Sequence, residues 1–261
     1  MIGAPMGPDD SGVGMSVCII TLNEEENLPR CLNSVEGVAT QIVIVDSLST
    51  DRTEEIAQEA GAEFHKQEFQ GHVLQKQTAL EKASEDWVLC LDADEWLDED
   101  LKEAVSRIVS GEEGDSADGY EVNRRVSYLG SWIDHSGWSP QWRLRLIRRG
   151  KGHWTGTDPH DRLEAEGVTK RLKGRLCHQP YKSLSDHLGK VNRYTDIMVA
   201  EWREKGEGAS LFRLLTRPPA RFLRMYLLRL GFLDGWRGLV LAVMGSFYVF
   251  LKYAKRFAVG R

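Results

Sequence analysis

The chain has 261 residues, which is enough for one sizeable α/β domain and an appendage. With 41% hydrophobic and 28% charged residues, most of it is predicted to be soluble and packed. Its four cysteines are scattered and form no CxxC pair, which argues against a zinc site built from them. Cys18 and Cys90 lie in apolar, strand-like runs, so we expect reduced and buried thiols.

Charge is distributed unevenly along the chain. The net charge is -5, yet residues 209–261 contain ten Lys or Arg and one acid, so the other 208 residues carry -14. An acidic body with a basic, apolar tail predicts docking on an anionic surface. The tail is too rich in Leu, Phe, Met and Val for a phosphate-binding arm, and we therefore expect no nucleic-acid partner.

The predicted elements begin after a flexible tail. Residues 1–15 are rich in Gly, Pro, Asp and Ser and lack the pattern of a signal peptide. Strands are then predicted at 16–20, 41–45, 63–65 and 87–91, and helices at 27–35, 52–60, 73–84 and 98–109. Repeated βα units of this length predict an α/β fold, a mostly parallel sheet with helices on both faces.

The pattern changes after Gly111. Strands are predicted at 120–128 and 143–148, where polar and apolar residues alternate. They indicate a mixed, partly antiparallel extension that carries loops on the acceptor side. A helix is predicted at 184–205, and Arg217-Pro218-Pro219 predicts a break before the tail.

Two amphipathic helices are predicted in the tail, at 220–230 and 235–257. The uninterrupted apolar stretch of the second, 239–251, is shorter than the roughly 20 residues of a spanning helix. We therefore expect residues 217–257 to lie on a membrane surface, with a hairpin packed on the body or on a sister subunit as the alternative. The predicted domains are a flexible tail (1–15), the α/β domain (16–208), and a membrane-association or oligomerisation tail (209–261).

Polar clusters follow three of the predicted strands. They are Thr21-Leu22-Asn23-Glu24, then Asp46-Ser47 with Asp51 close behind, and Asp92-Ala93-Asp94-Glu95. Parallel strands bring such ends to one edge of the sheet, where open α/β sheets bind their ligands. The convergence of the three is more informative than any one cluster.

The pair Asp92 and Asp94 suggests a divalent cation. Residues i and i+2 of a strand end project to the same side, and two close carboxylates repel unless a cation lies between them. Mg²⁺ or Mn²⁺, held by one or two carboxylates and by substrate phosphates, satisfies that requirement. The alternative is that acids near Asp98 only favour the start of the next helix.

A nucleoside suits the other two strand ends. Carboxylates such as Asp46 and Asp51 accept hydrogen bonds from ribose hydroxyls or base N–H groups, and Thr21 and Asn23 have similar capacity. The alternative for all of these residue types is turn and cap chemistry inside the protein.

The runs 16–28, 45–53 and 91–96, in this order and spacing, resemble family 2 inverting glycosyltransferases. The likeness covers roughly residues 16–205. Within the family, the chain is most similar to the lipopolysaccharide inner-core β-glucosyltransferases. The segments that carry this nearer likeness are Asp94-Glu95-Trp96, Trp154-Thr155-Gly156 leading into Pro159-His160-Asp161, His178 followed by Tyr181, and Gly231-Phe232-Leu233-Asp234-Gly235.

This resemblance implies a GT-A fold, a nucleoside-diphosphate sugar donor with UDP favoured, and a divalent metal. Residues that would face the nucleotide are Thr21, Asn23, Glu24, Asp46, Asp51 and Lys76. Asp92 would contact ribose or metal, Asp94 would be the principal metal ligand, and His178 a further ligand.

An inverting transfer needs a base for the acceptor hydroxyl, and a carboxylate is the usual choice. In the subgroup we expect a hydrophobic-His-Glu triplet where this chain has Pro159-His160-Asp161. The substitution keeps a carboxylate but shortens it. We predict Asp161 as the base, with Asp158 as the second candidate. Aromatic residues that could stack on sugars, or simply pack in the core, are Trp132, Trp138, Trp142 and Trp154.

Together these features predict a hexosyltransferase that moves a hexose, with glucose favoured, from a UDP-sugar to a sugar on a membrane glycolipid such as lipopolysaccharide core. We expect it at the cytoplasmic face of the inner membrane, as a peripheral protein and with oligomerisation open. Transfer to a polyprenyl phosphate is the alternative. A nucleotidyltransferase ranks lower because no Gly-rich loop follows the first strand. A non-catalytic membrane-tethered binding protein also ranks low, since no strand-end acid is missing.

Overall fold

The computed structural model of the chain describes residues 13–112, 117–158, 160–206, 208 and 210–259. Most of the predicted N-terminal tail therefore lies outside the described residues. The chain divides into two compact units, one of residues 1–123 and 142–176 and the other of 124–141 and 177–261. The predicted tail, 209–261, is part of the second unit together with the helix before it. The functional division at residue 208 remains a prediction.

The elements up to residue 178 alternate as predicted and then become mostly strands. They are β1 (Met15–Thr21), α1 (Leu28–Val35), β2 (Gln41–Asp46), α2 (Thr53–Glu59), β3 (Glu63–Lys66), α3 (His72–Glu81), β4 (Trp87–Asp92), β5 (Glu95–Leu97), α4 (Glu99–Val109), β6 (Gly119–Tyr128), β7 (Ser131–Ile133), β8 (Gln141–Arg148), β9 (Gly152–Thr157), β10 (His160–Ala165) and β11 (Thr169–His178). The strands β5, β7, β9, β10 and β11 were not expected from the sequence.

The main sheet has the strand order β3-β2-β1-β4-β8-β6-β11-β5, with β7 beside β6. The first four strands of this order run parallel, and β8 joins β4 in the antiparallel sense. A parallel half and an antiparallel extension confirm the predicted α/β class. The hairpin of β9 and β10 forms a separate two-stranded sheet.

Helices cover both faces of the parallel half. Alternate residues of β1 separate its two faces: Met15, Val17 and Ile19 pack with α1, α2 and α4, whereas Cys18 packs with α3. Each fully buried aliphatic side chain contributes about 1.5–3 kcal/mol relative to exposure. Because both faces are covered, β1 has no polar alternation, and its run of apolar residues is the pattern of a buried parallel strand. All four cysteines are free and buried, as expected for Cys18 and Cys90.

The link between β5 and α4 fixes the acidic segment that ends β4. Asp98 caps α4, because its Oδ1 accepts from the backbone N–H of Leu101 at 2.9 Å and also from that of Arg175 at 2.9 Å. Gly174 lies so close that a Cβ there would approach the Leu101 nitrogen to 2.2 Å. The helix-cap role considered for this acidic run thus belongs to Asp98.

The second unit contains β7 and the helices of the C-terminal part. They are α5 (Leu184–Glu204), α6 (Leu211–Leu223), a π-helical turn (Arg224–Leu228), a 3₁₀ turn (Gly231–Asp234) and α7 (Gly235–Val259). Its core contains Tyr128, Ile133 and Met225 with Leu241 and Ala242. Together these residues pack the start of α7 against β6, β7 and the π-helical turn.

The predicted break at Arg217-Pro218-Pro219 was wrong. Both prolines lie inside α6, and Pro218 is buried. The Ser246 hydroxyl of α7 donates to the Pro218 carbonyl at 2.9 Å. Packing between α6 and α7 therefore holds the helix through the prolines, and the chain reverses later, at Leu230, whose φ is 53°.

Helix α7 is longer than the apolar stretch that the sequence analysis counted. By length and composition alone, the segment Gly231–Ala258 would suffice to cross a membrane, and it contains an 18-residue stretch with a mean hydropathy of 1.3. In the described part of the chain it is the one helix that meets this criterion. The expectation of a short interfacial helix counted only the residues between charged positions.

Candidate active site

The ends of β2, β1 and β4 meet at one edge of the parallel sheet. Thr21 of β1 is paired with Asp46 of β2, and Ile20 of β1 is paired with Asp92 of β4. The three polar clusters found in the sequence are therefore neighbours in the first unit. This is the arrangement expected of a ligand site at the carboxyl ends of parallel strands.

Asp46 holds the loop that follows its own strand. It is buried, and its carboxylate accepts from the Thr21 hydroxyl at 2.7 Å and from the Ser49 backbone N–H at 2.7 Å and hydroxyl at 2.5 Å. In the structure, Thr21 and Asp46 therefore make the turn hydrogen bonds inside the protein that were the alternative to nucleoside binding.

The loop after β1 is joined to the loop after β2 by side chains. Asn23 has a φ of 56°, and its Oδ1 accepts from the Thr50 backbone N–H at 2.9 Å. The backbone N–H of Glu24 donates to the Thr53 hydroxyl at 2.8 Å. Asp51 accepts from the Thr53 N–H at 3.0 Å. These contacts bring Asn23, Glu24 and Asp51 together, as predicted, and fix them against one another.

The pKa of the Asp51 carboxyl lies below its usual value. Its slight burial acts in the opposite direction, but hydrogen bonds from Thr53 and from the backbone of Glu25 outweigh that effect. Asp51 is therefore held as a carboxylate at the rim of the loop pair.

Lys76 connects two strand elements of the site. Its ammonium lies 2.7 Å from Asp92 Oδ1 and 2.7 Å from Asp161 Oδ2, and its side chain is buried. Burial alone would favour neutral lysine, but Asp92 and Asp161 outweigh it, and the pKa of Lys76 lies above its ordinary value. This ion pair ties the predicted base on β10 to the end of β4.

Arg145 is a site residue that the sequence reasoning missed. Its guanidinium makes a two-point contact with Glu95, at 3.0 and 3.1 Å, and lies 3.2 Å from Asp92 Oδ2. Burial opposes its charge, but Glu95 and Asp92 outweigh burial, and the pKa of Arg145 is raised. The fully buried Glu95, to which the sequence gave no role, is thus the counter-ion of Arg145. A buried acid needs a counter-ion, and a strand with arginines at alternate positions can supply one. These two features together were the sequence signal for Arg145.

Trp154 forms one wall of this charge cluster. Its ring centroid lies 4.7 Å from the Lys76 ammonium and 5.8 Å from the Arg145 guanidinium carbon. Cations over an aromatic face are stabilised by its quadrupole, more strongly where water is excluded. Trp154 is itself buried in the core that faces α3, so for this residue core packing was the correct alternative. Trp142 lies against Arg171, and Trp132 and Trp138 belong to the second unit.

The two candidate bases have different surroundings. Both oxygens of Asp158 accept from the His72 backbone N–H, at 2.9 and 3.1 Å, which caps the start of α3. Gly71 leaves room for this carboxylate, because a Cβ there would approach Asp158 Oδ2 to 2.7 Å. Asp161, by contrast, lies in the charge cluster. Pro159 lies outside the described residues, and His160 is exposed.

The carboxylates at the end of β4 are ligands of the type that a hard divalent cation takes, although both oxygens of Asp92 also face Lys76 and Arg145. Asp92 and Asp94 supply carboxylate oxygens at the strand end, and Mg²⁺ is commonly bound through one or two carboxylates plus substrate phosphates. Within the described ranges, no group of three His, Cys, Asp or Glu side chains could hold a metal alone. His178 belongs to the second unit, and its role as a ligand stays a prediction.

Comparison with known proteins adds a family. The family model described as Glycosyl transferase family 2 matches residues 16–170. Lipopolysaccharide core biosynthesis glycosyltransferase LpsC of Rhizobium meliloti is 35% identical over 248 residues, 92% of this chain and 91% of that protein. An uncharacterized glycosyltransferase of Rickettsia typhi is 29% identical over 250 residues, 92% of this chain and 86% of that protein.

Among solved structures, S. aureus TarS 1–349 in complex with UDP aligns with a TM-score of 0.48 at 15% identity, covering 93% of this chain and 91% of that one. Glucosyl-3-phosphoglycerate synthase from Mycobacterium tuberculosis aligns with a TM-score of 0.34 at 24% identity, covering 46% of this chain and 45% of that one.

Proposed function

Because the chain belongs to glycosyl transferase family 2, we propose that it transfers a hexose, with glucose favoured, from a UDP-sugar to a sugar hydroxyl of a membrane glycolipid such as lipopolysaccharide core. The relative LpsC, whose name assigns it to lipopolysaccharide core biosynthesis, aligns over nearly the full length of both chains. The observation that carries the proposal is the chain of charges from Glu95 through Arg145, Asp92 and Lys76 to Asp161. It joins the strand-end acids to a further carboxylate on a neighbouring hairpin.

The loops after β1 and β2, which are hydrogen-bonded to each other, are proposed to bind the nucleoside. Asp46 and Asp51 keep their carboxylates ordered, while Asn23 and Glu24 present the rim of the same loop pair. A rigid rim lowers the ordering cost of binding, because little conformational freedom is lost. Thr21 acts here by holding Asp46 rather than by standing exposed to the ligand.

The diphosphate is proposed to lie against the charge cluster. Lys76 and Arg145 are the buried cations beside Asp92, and a diphosphate brought to them would share their positive charge. Asp94, with Asp92, is proposed to hold the divalent metal, which would offset negative charge on the leaving diphosphate. Arg145 also keeps Glu95 and Asp92 in a fixed arrangement.

Asp161 is proposed as the base. It would accept the proton of the acceptor hydroxyl while that oxygen bonds to C1 of the sugar and the C1–diphosphate bond breaks on the opposite face. Lys76, 2.7 Å away, orients the carboxylate. Asp158 is already engaged as the cap of α3, so we propose that it supports the helix that carries Lys76.

The acceptor side is proposed to be membrane-borne. The basic, apolar stretch 217–257 suits a peripheral position on the cytoplasmic face of the inner membrane, where nucleotide sugars and anionic headgroups meet. A polyprenyl phosphate would be reached from the same surface, and product identification separates it from a glycolipid sugar.

Titration calorimetry with UDP, with and without Mn²⁺, tests the first step. We expect binding that strengthens with the metal in the wild-type chain and loses that dependence in Asp94→Asn. Asp100→Asn, an exposed acid in the first turn of α4, serves as the matched control. Absence of metal-dependent UDP binding in the wild type would refute the proposal. Incubation with membranes and a panel of UDP-sugars, followed by mass analysis of the lipid product, identifies the sugar and the acceptor.

A further inference from the structure

The second unit carries an elbow between two helices, residues 224–238, that the proposed chemistry does not use. Helix α6 continues into the π-helical turn Arg224–Leu228, and the chain reverses at Leu230. The 3₁₀ turn Gly231–Asp234 follows directly, and α7 begins at Gly235. This elbow contains the Gly231-Phe232-Leu233-Asp234-Gly235 segment noted in the sequence.

One acid anchors the elbow to a loop of the same unit. The side chain of Asp234 is only 4% exposed. Its carboxylate accepts from the backbone N–H groups of Asp134 and His135, at 3.1 and 3.2 Å, and from the Ser136 hydroxyl at 3.0 Å. Ser136 also donates its own N–H to the Arg229 carbonyl at 2.9 Å. The His135 Nδ1 also lies 3.0 Å from Asp234 Oδ1, and four partners around one buried carboxylate make a specific and rigid attachment.

Two glycines let the backbone segments of the elbow approach each other. A Cβ on Gly238 would lie 1.8 Å from the Gly231 carbonyl oxygen. A Cβ on Gly231 would lie 2.7 Å from the Met225 carbonyl oxygen. Any side chain at these positions would force the two helices apart. Packing therefore explains the glycines and the aspartate of the segment, and the elbow has one defined shape.

The apolar residues of the elbow have no such internal role. Phe232, Leu233 and Trp236 are 45%, 57% and 56% exposed. Other large apolar side chains exposed within the same ten residues are Leu227, Leu228 and Leu230. Soluble surfaces show such residues singly, whereas several of them exposed within one short turn mark a surface that contacts an apolar partner.

The charge around these side chains selects the partner. Arg229 and Arg237 flank the apolar residues, and the Arg237 guanidinium lies 4.6 Å from the Trp236 ring centroid. Residues 211–257 contain nine Arg or Lys and only one acid, the buried Asp234. A second copy of the chain would bring the same positive charge against this surface. An anionic bilayer offers both an apolar interior and phosphates at its boundary.

We propose that the elbow is a membrane wedge, in which Phe232, Leu233 and Trp236 insert into the acyl boundary of an anionic bilayer while Arg229 and Arg237 contact lipid phosphates. Asp234 is the anchor that holds the wedge in position. The inference deepens the proposed function and rests on it, because a glycolipid acceptor requires the enzyme to work at a lipid surface. The wedge fixes which residues of the long basic tail enter the lipid.

Vesicle flotation of the full chain tests the wedge. We expect binding to phosphatidylethanolamine vesicles that contain phosphatidylglycerol, and little binding to phosphatidylcholine alone. Replacing Phe232→Ser together with Leu233→Ser should weaken binding at least about tenfold, since two large apolar side chains lose their burial. The matched control replaces Leu188→Ser and Ile197→Ser, which are similarly exposed on α5. Unchanged binding of the elbow variant, or an equal loss in the control, would overturn the proposal.

A fluorescent label measures the insertion directly. The four native cysteines are buried, so a thiol-reactive, polarity-sensitive dye would label an introduced Leu233→Cys selectively. We expect a blue shift of its emission on phosphatidylglycerol vesicles, and none for a label at Gln58→Cys on α2 of the first unit. If the label instead shifts without lipid as protein concentration rises, and the chain sediments as a dimer, a second copy occupies the elbow and the wedge is wrong.

The same proteins separate the failure of this inference from the failure of the proposed function. Metal-dependent UDP binding that persists in the Phe232→Ser and Leu233→Ser variant, alongside lost flotation, supports both. Absent UDP binding with intact flotation would remove the transferase proposal and leave the wedge standing. If UDP binding is intact and the elbow variant floats like the wild type, the wedge is refuted and the transferase proposal stands.

Discussion

The two halves of the sheet edge neutralise their acids in different ways. After β1 and β2, Asp46 and Asp51 accept hydrogen bonds from backbone N–H groups of the loop after β2, and Asp46 also accepts from the Thr21 hydroxyl at the end of β1. Around the end of β4, Asp92 and Asp161 face Lys76, and Arg145 bridges Asp92 to a buried glutamate. Hydrogen bonds of the first kind hold the loops after β1 and β2 together, whereas ion pairs of the second kind place buried side-chain cations beside the acids, where the proposed diphosphate would share them.

This difference predicts separate consequences for variants. An acid that holds a loop should affect stability when it is altered, while an acid at the end of the ion-pair chain should affect turnover. Substitutions of Asp161, Arg145, Asp46 and Asp51 test that division.

Asp161→Asn should lower kcat by about 10²–10⁴-fold, the usual contribution of a general base. Folding should be preserved, because Lys76 keeps its second carboxylate, Asp92, at 2.7 Å. Turnover with membranes and UDP-sugar, together with a thermal melt, measures both quantities. Asp158→Asn is the control, and its loss should be far smaller because that residue caps α3. An equal or larger loss in Asp158→Asn would exchange the two assignments.

Arg145→Met should cost about 3–5 kcal/mol in the free energy of unfolding, because it leaves the fully buried Glu95 without a counter-ion. Adding Glu95→Met to it should recover much of that loss, since two apolar side chains replace two buried charges. Urea denaturation gives the free energies. Arg162→Met, which breaks the exposed pair with Glu164, should change stability by no more than about 1 kcal/mol. A small effect of Arg145→Met would mean that water or another cation serves Glu95.

Asp46→Asn should cost about 1–3 kcal/mol of stability, since an amide N–H₂ would face the donors that now point at the carboxylate. The urea midpoint measures this loss, and UDP titration on the same protein gives the Kd. If stability is unchanged while UDP binding disappears, Asp46 contacts the nucleoside directly and the loop-holding role is wrong. Such a result would also mean that the acids after β1 and β2 do not differ in role from those at the end of β4.

Asp51 should give the smallest effect, visible as a dependence on pH. Its pKa is lowered in the folded protein, so its contribution to stability is complete above the unfolded value of about 4 and is lost as pH falls through the folded value. Asp51→Asn should make the free energy of unfolding depend less on pH in that acidic range. Near pH 7 the variant and the wild type should show the same dependence on pH. Urea unfolding at a series of pH values tests this, and an unchanged acidic limb would contradict it.

Several features of the site were readable from the sequence because they depend on local order. Continuous apolar runs predict buried strands, and the polar residues that end these strands, such as Asp46 and Asp92, come directly after the runs. Parallel pairing then places those ends at one edge, whatever the details of packing. The prediction that Lys76 approaches the site needed the family resemblance, since nothing in α3 alone distinguishes that lysine.

Other features depended on partners distant in sequence. Arg145 acquires its role only because β8 lies beside β4, 53 residues from Asp92, and brings the guanidinium to Glu95. Asp158 caps α3 because that helix, which begins 86 residues earlier in the chain, lies against it. Helix α6 passes through two prolines because α7 packs along it. Strand β11 was missed because Lys and Arg occupy four of its ten positions, and its buried side chains are those of Leu172, Leu176 and Cys177.

The sequence by itself determined the α/β class, the family resemblance and the three acidic strand ends, because apolar periodicity and short motifs are properties of neighbouring residues. The tertiary structure alone decided which acids are paired with cations, which are tied into loops, and which apolar residues of the tail stand exposed at the elbow. Those outcomes depend on long-range contacts, and the electrostatic environment of a carboxylate is set by the groups that folding brings to it.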